Sequence, residues 1–276
     1  MHTLRKQIPF ILVALSLALG ASGQSASVPV PAHVVVVMEE NHKYSQIIGS
    51  PDAPYINTLA DEGASFTDSH AITHPSQPNY LALFSGSTHG VTSDSCPQKF
   101  STANLGSELI ASKRTFAGFS EGLPETGSEV CTSGAYARKH VPWTDFSDLP
   151  SSVNRPFTAF PTDFNDLPTV SWVIPDLVHD MHSGTIQEAD SWLQTHLAPY
   201  LAWARDHNSL LIITWDENND APGNQIPTIF VGPMVRPGKY RQDITHHNVL
   251  RTIEAMYGLG HLGSSASATP ITDVWQ

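Results

Sequence analysis

Two apolar runs in this chain end in nearly the same acidic triplet. Residues 34–38 (Val-Val-Val-Val-Met) lead into Glu-Glu-Asn at 39–41, and residues 210–215 (Leu-Leu-Ile-Ile-Thr-Trp) lead into Asp-Glu-Asn at 216–218. Uninterrupted aliphatic and β-branched runs of this length are typical of strands that are buried on both faces, as in a parallel sheet. In open α/β sheets, ligands bind beyond the carboxyl ends of such strands. We therefore predict that two strand ends bring carboxylates and amides together at one edge of a sheet.

The oxygen atoms at these strand ends suit a hard divalent cation. The alternative is that acidic residues simply end the strands and face solvent, and for a single triplet that alternative is favoured. The repetition of the triplet favours a metal site.

Strands and helices alternate through the rest of the sequence. This alternation is typical of an α/β fold with a mostly parallel sheet, and nothing marks a boundary that would divide it into two domains. The helix predicted at 186–205 is the most regular, because apolar residues recur along one of its faces. The other predicted elements are helices at 54–62, 77–84, 105–113 and 246–257 and strands at 64–73, 115–120, 169–174 and 226–231.

The first residues have the pattern of a secretory signal peptide. Arg5 and Lys6 precede an apolar stretch at 8–19, and small residues follow at 21–23. The apolar stretch is short for a bilayer span, so we expect no stable membrane insertion. The sequence thus predicts a signal peptide at 1–23, a flexible lead at 24–32, one domain at 33–262 and a C-terminal tail at 263–276, in a protein that is secreted or periplasmic.

The charge balance is acidic. The formal net charge is −12, and it becomes −14 once Arg5 and Lys6 are removed with the signal peptide. Such a charge disfavours nucleic acid and anionic membrane surfaces as partners. An anionic substrate would need local positive charge, which a metal ion and some of the 14 histidines could supply.

The sequence contains two cysteines, Cys96 and Cys131. In an exported protein they are expected to form a disulfide, which would stabilise the fold by roughly 3–4 kcal/mol. They lie in a segment at 96–161 that is rich in Pro, Gly, Ser and Thr. Loops of this length usually cover a functional site.

Ser76 lies between a predicted strand and a predicted helix, where a helix N-cap is expected. The simplest interpretation is that its side chain caps the helix. The alternative is that its hydroxyl faces an anion at the helix N-terminus, where free N–H groups and the helix dipole favour phosphate. A serine hydroxyl acts as a nucleophile only with a base or a metal beside it, and the acidic strand ends could hold that metal.

Five short motifs occur in an order that resembles a known family. They are Glu40-Asn41, Ser-Gln-Pro-Asn at 76–79, Ser-Thr-His-Gly at 87–90, Asp216-Glu217 and Gly-Pro at 232–233. The order is similar to that in the bacterial acid phosphatase and phospholipase C family of the alkaline phosphatase superfamily, over about residues 33–259. The length and the segments 136–143 and 180–182 look most like the small secreted acid phosphatases. Plant-type phospholipase C members carry threonine in place of Ser76 and an additional C-terminal domain.

This resemblance implies an alkaline-phosphatase-like three-layer α/β/α sandwich and a metal-dependent hydrolase of phosphoric esters. The expected activity is that of a phosphomonoesterase, with Ser76 as a metal-activated nucleophile and a phosphoserine intermediate. One divalent ion is implied; oxygen ligands favour calcium, magnesium or manganese, and zinc is the alternative because other superfamily members use two zinc ions. The implied metal ligands are Glu40, Asn41, Ser76, Asp216 and Glu217.

The resemblance also implies roles for several polar residues around the substrate. His140 and His182 are the expected catalytic histidines, because an imidazole can protonate a leaving alcohol near neutral pH. For each histidine the alternative is a satisfied loop or core residue, and for Asn79 it is support of the helix terminus. The residues expected to bind the substrate are Asn79, His89, Asp180 and His246.

The expected substrate is a small phosphate ester, in a range that extends to phospholipids and phosphoinositides. Two alternative functions remain open at this point. One is a phosphodiesterase of the phospholipase C type that acts on polar lipid head groups. The other is a non-catalytic exported protein that binds phosphate or metal and keeps the metal as a structural clip.

Overall fold

The computed structural model describes residue 2 and residues 28–276. The predicted signal peptide, apart from residue 2, and the first four residues of the predicted lead lie outside the described residues. The helices are α1 Tyr44–Ile47, α2 Pro54–Glu62, α3 Ser76–Ser85, α4 Leu105–Ala111, α5 Ile186–Ala204 and α6 His246–Tyr257. The strands are β1 Val34–Glu39, β2 Ala64–Phe66, β3 Ser69–His70, β4 Phe116–Ser120, β5 Thr132–Ser133, β6 Tyr136–Ala137, β7 Asn154–Pro156, β8 Val170–Ile174, β9 Leu210–Trp215, β10 Thr228–Val231, β11 Gly238–Tyr240 and β12 Ile244–Thr245.

Eight of these strands form one sheet in the order β11-β2-β10-β9-β1-β8-β4-β7. The pairs that β1 makes with β8 and β9 are parallel, as are those that β4 makes with β7 and β8. Only β10 runs antiparallel to its neighbours within the described sheet, because it pairs in that sense with both β2 and β9. The prediction of a mostly parallel sheet is confirmed.

Helices cover both faces of the sheet. Alternate residues of β1 contribute to two separate apolar cores, with Val34, Val36 and Met38 in one and Val35 and Val37 in the other. The first core is closed by α3, α4 and α6, and the second by α2 and α5. Every residue of β1 is buried, which explains why its sequence is uninterrupted rather than alternating. The predicted three-layer α/β/α sandwich is therefore confirmed.

The prediction of one strand at 64–73 is wrong. The structure divides this segment into β2, at the large sheet, and β3, which pairs with β12 in a separate two-stranded sheet. The division falls at Thr67 and Asp68, where the backbone turns to hydrogen-bond with Tyr240 and Ile244 on the neighbouring chain segment. The other predicted elements are present with ends displaced by a few residues.

Both ends of the described chain pack against the domain. Ala32 donates its N–H to the carbonyl of Asn208 at 2.7 Å. Ile271, Val274 and Trp275 are buried in the same core as α3 and α6. Part of the segment 263–276, which the sequence predicts to be a C-terminal tail, thus packs in the domain core. No helix within residues 28–276 has both the length and the hydrophobicity that a bilayer span requires.

The predicted disulfide between Cys96 and Cys131 is confirmed, with the two Cα atoms 5.9 Å apart. It joins the loop after α3 to the hairpin of β5 and β6. The backbone N–H of Arg138 also bonds to the carbonyl of Cys131 at 3.0 Å. The disulfide therefore fixes two loops that both approach the N-terminus of α3.

Candidate functional site

The two acidic strand ends lie side by side. Because β1 and β9 pair in parallel with Glu39 opposite Trp215, the residues that follow them leave the sheet at the same edge. The backbone N–H of Asn41 bonds to Oδ1 of Asp216 at 3.0 Å. The side chain of Asn41 donates to Oε2 of Glu40 at 3.1 Å. Adjacent parallel strands thus account for this part of the site.

Ser76 is brought to these carboxylates by α3. Its hydroxyl lies 3.2 Å from Oε2 of Glu40 and 3.1 Å from Oε1 of Glu217. The expectation that Ser76 is the N-cap is wrong by one residue, because Pro75 holds that position and Ser76 is the first residue of the helix. The hydroxyl is consequently bonded to carboxylates and not to the helix backbone. Ser76 is 2% exposed, so this contact is shielded from solvent.

Asn79 supports the backbone that precedes Ser76. Its Oδ1 accepts the N–H groups of Ile72 and Thr73 at 3.0 and 3.1 Å, and its Nδ2 donates to the carbonyls of Thr73 and Pro75. These four bonds satisfy both the oxygen and the amino group of the Asn79 side chain. The structure therefore favours the alternative of support at the helix terminus, and Asn79 positions Ser76.

Without a cation beside them, the burial of these carboxylates disfavours their charged forms. Burial, followed by the charges of Asp216 and Asp180, raises the pKa of Glu40 well above its usual range. Burial and the neighbouring Glu217 raise the pKa of Asp216 to about 8, and burial raises the pKa of Glu217 to about 7. Buried carboxylates of this kind are normally paired with a cation or bound to a metal.

The donor set fits a divalent cation. Oδ2 of Asp216 is buried without a hydrogen-bond partner among the described residues, beside the oxygens that converge on Ser76. Carboxylate, amide and hydroxyl oxygens are hard ligands. A second possible grouping shares Glu40, since it, His140 and Asp180 bring one ligand atom each to within 4.8 Å of one another.

His140 lies between two carboxylates. Its Nε2 is 3.1 Å from Oε1 of Glu40, and its Nδ1 is 3.2 Å from Oδ2 of Asp180. Its ring stacks on Tyr80 at a centroid distance of 4.9 Å. Burial lowers the pKa of His140 well below its usual value, which favours the neutral ring. Asp180, one of the residues expected to bind the substrate, is fully buried and contacts the ring of His140 here.

His182 is the accessible member of the histidine pair. Its side chain is exposed, and its ring centroid lies 6.0 Å from that of His140. Its backbone N–H bonds to Oδ1 of Asp180 at 2.8 Å. Partial burial, followed by the charge of Lys139, lowers the pKa of His182. A substrate at Ser76 could therefore meet His182 more readily than the buried His140.

Two of the predicted substrate-binding histidines do not face this cluster. His89 bonds to Ser85, at the end of α3 opposite Ser76, and stacks on Phe100. Ser85 lies nine residues after Ser76 on the helix, roughly 13.5 Å away at 1.5 Å per residue. His246 is fully buried, and its Nε2 bonds to the carbonyl of Trp215 at 2.8 Å. His246 supports the strand end that precedes Asp216 and does not line the site.

Four residues at the site were not predicted. Tyr80 donates to Oε1 of Glu40 at 2.7 Å, and its position four residues after Ser76 on one helix is a sequence signal that could have identified it. His74 contacts Oε2 of Glu217 at 2.5 Å, and it lies two residues before Ser76. The other two are Lys139 and Asp94, which form an ion pair at 2.7 Å. Asp94 has no sequence signal of its own.

The sequence matches a family model described as the phosphoesterase family over residues 50–260. Over 254 residues it is 52% identical to a protein of Mycobacterium tuberculosis named phosphatidylinositol-3-phosphatase, covering 91% of this chain and 85% of that protein. Over 229 residues it is 30% identical to the phosphate-repressible acid phosphatase of Penicillium chrysogenum, covering 75% of this chain and 55% of the fungal protein. The chain thus spans about half of that fungal relative.

Solved structures with a similar fold include a protein of the alkaline phosphatase superfamily from Vibrio parahaemolyticus. The TM-score is 0.61 at 13% identity, and the match covers 90% of this chain and 72% of that one. At this identity the likeness concerns the fold. It agrees with the alkaline-phosphatase-like fold that the sequence predicts.

Proposed function

The chain belongs to the phosphoesterase family and is a phosphoric ester hydrolase, and from that premise we propose that it is an exported phosphomonoesterase with Ser76 as its nucleophile. The observation that carries the proposal is the position of the Ser76 hydroxyl, which is buried at the start of α3 within 3.2 Å of Glu40 and 3.1 Å of Glu217. A hydroxyl that only capped the helix would bond to the helix backbone and not to two carboxylates.

In the proposed reaction the Ser76 oxygen bonds to phosphorus, its hydroxyl proton passes to the hydrogen-bonded carboxylate of Glu217, and the bond from phosphorus to the ester oxygen breaks. Glu40 and Glu217 accept the hydrogen bond of the hydroxyl and direct its oxygen, and the buried surroundings exclude water from that contact. A divalent ion held by Glu40, Asn41, Ser76, Asp216 and Glu217 would lower the pKa of the hydroxyl and offset the negative charge of the phosphate. Water then hydrolyses the phosphoserine.

We assign the proton for the leaving oxygen to His182. Asp180 accepts the backbone N–H of His182, and His182 is the histidine of the pair that is open to solvent. General acid catalysis by a positioned histidine typically contributes 10²–10⁴-fold to a rate.

Replacing His182 with asparagine should lower kcat by about 100-fold. Because partial burial lowers the pKa of His182 below 6.5, the protonated acid is lost as the pH rises through that lowered pKa. In the unmodified enzyme kcat should therefore fall with rising pH along a limb below about pH 6.5. The variant should lack this limb.

The measurement is kcat for p-nitrophenyl phosphate between pH 4.5 and 8. His261→Asn is the matched control, since His261 is an exposed histidine near the C-terminus, and it should leave the profile unchanged. A limb that persists at the same pH in His182→Asn would assign the proton to another group.

The substrate class is proposed from the relatives. One relative is named for a phosphoinositide substrate and others are named acid phosphatases, so a terminal phosphate monoester is the common feature. We propose that this chain hydrolyses such monoesters, with phosphoinositides among the candidates. Export rests on the predicted signal peptide, and sequencing of the mature N-terminus would test it.

The function is tested with chelator-treated protein, to which calcium, magnesium, manganese or zinc is returned singly. The substrates are p-nitrophenyl phosphate, phosphatidylinositol 3-phosphate and phosphatidylcholine. We expect one ion to restore monoester hydrolysis, without release of the phosphatidylcholine head group. Head-group release without monoester turnover would favour the phospholipase C alternative. A protein that binds metal and phosphate but turns over none of the three substrates would favour the binding-protein alternative.

A further inference from the structure

The N-terminus of α3 is already occupied by a carboxylate of the chain itself. Oδ1 of Asp94 accepts the backbone N–H of Gln77 at 3.0 Å. The next residue, Pro78, has no N–H. The free N–H groups that make a helix N-terminus attractive to phosphate are therefore scarce here, and an anionic carboxylate lies beside them. Any positive charge for the phosphate beyond that of the proposed divalent ion must therefore come from a side chain.

Lys139 lies beside this helix terminus. Its Nζ is 2.7 Å from Oδ2 of Asp94, and its side chain is 18% exposed. Arg138, the preceding residue, is turned away and bonds to Glu129 and Thr144. Lys139 also precedes His140, whose ring contacts Glu40. Asp94 thus links the Lys139 ammonium to the backbone N–H of Gln77, the residue after Ser76.

Two contacts place the charge of Lys139 beside the site. Its partner Asp94 accepts the N–H of Gln77, the residue after Ser76, and His140, the residue after Lys139, lies 3.1 Å from Oε1 of Glu40. An ammonium has three N–H donors, so Lys139 can keep its bond to Asp94 and donate to a second anion.

The pair is held in place from both sides. Asp94 lies two residues before Cys96, and the hairpin that leads to Lys139 begins at Cys131. The disulfide therefore ties together the two loops that supply the pair. A lysine restrained in this way loses less conformational entropy when it binds an anion than a free surface lysine would.

We propose that Lys139, positioned by Asp94, donates a hydrogen bond to a non-bridging phosphate oxygen and makes the site prefer phosphate monoesters to diesters. This inference rests on the proposed function. A monoester dianion carries one more negative charge than a diester into a site lined by carboxylates, and that charge is the one an adjacent ammonium offsets. A diester has less charge to offset and gains less from Lys139.

The test is Lys139→Met in the metal-reconstituted full enzyme. We expect kcat/KM for p-nitrophenyl phosphate to fall by about 30-fold, and Ki for inorganic phosphate to rise by a similar factor. The value of kcat/KM for bis(p-nitrophenyl) phosphate should change by less than about threefold, because its single charge gains less from the ammonium. Lys139→Arg should recover most of the loss on the monoester, since the charge and a donor are retained.

Asp94→Asn tests the positioning role. It should produce part of the loss seen with Lys139→Met, and the double variant should be no worse than Lys139→Met alone, because Asp94 acts through Lys139. Lys239→Met is the matched control, since Lys239 lies on β11, four strands from β1, and it should behave like the unmodified enzyme.

The inference is overturned if Lys139→Met leaves Ki for phosphate unchanged, or if it reduces the hydrolysis of both esters equally. These outcomes can be distinguished from failure of the proposed function. If the proposed function is wrong, the unmodified enzyme itself will hydrolyse neither ester with any divalent ion.

Discussion

Replacing Ser76 with alanine should abolish turnover while the protein stays folded. Loss of a nucleophile that forms a covalent intermediate typically costs about 10⁴-fold or more in kcat. The fold should tolerate the change because the hydroxyl bonds to Glu40 and Glu217 and not to the backbone of α3. The measurement is kcat for p-nitrophenyl phosphate together with the thermal unfolding midpoint and the metal content.

Ser85→Ala is the matched control for this variant. Ser85 is also buried on α3, and its hydroxyl bonds to the carbonyl of Leu81 at 2.8 Å, at the far end of the helix. It should keep its turnover. Full activity of Ser76→Ala on p-nitrophenyl phosphate would remove Ser76 from the mechanism.

Replacing Asp216 with asparagine should weaken metal binding and at the same time stabilise the metal-free protein. Loss of one charged ligand should reduce the affinity for the ion by about 100-fold or more, and turnover should fall with it. The stability effect has the opposite sign because burial and Glu217 raise the pKa of Asp216 to about 8 in the folded state.

The pH window of that effect follows from the two pKa values. An unfolded aspartate has a pKa near 3.9, so the unfolded chain releases its proton first, and the metal-free protein loses stability as the pH rises from about 4 to about 8. At pH 7 asparagine should therefore raise the free energy of unfolding of the metal-free protein by about 2–4 kcal/mol. Chemical denaturation of both proteins, with and without chelator, measures this difference in the free energy of unfolding.

Asp190→Asn provides the comparison for removal of a buried carboxylate. Asp190 accepts the N–H groups of Tyr55 and Ile56 at the start of α2, away from the proposed ligands. It should leave the metal affinity unchanged. If Asp216→Asn binds the ion as tightly as the unmodified protein, Asp216 is not a ligand.

The sheet and the strand ends could be predicted from the sequence because their signals are local. Uninterrupted apolar runs, such as the four valines and the methionine of β1, can be buried on both faces only in an inner strand, and β1 and β9 are such strands. Once the strands are parallel neighbours, the residues after them meet at one edge without further information. This is why Glu40 and Asp216 could be paired from positions 176 residues apart.

The remainder of the site depends on loop packing that no local pattern encodes. Asp94 reaches the N-terminus of α3 from a loop, and Lys139 reaches Asp94 from another. His89 follows a family motif, yet it packs against Phe100 because the loop after α3 turns back on that end of the helix. The amide of Asn79 was open to two interpretations, and only the position of the preceding loop distinguishes them.

The central claim is that the oxygens around Ser76 hold one divalent ion within bonding distance of its hydroxyl. Anomalous diffraction from crystals of the full enzyme loaded with manganese tests it directly. We predict one strong peak at roughly 2.0–2.6 Å from Ser76 Oγ and from oxygens of Glu40, Asp216 and Glu217. A peak only elsewhere, such as at the half-buried cluster of Glu121, Asp176 and His179, or no peak at saturating manganese, would contradict the account.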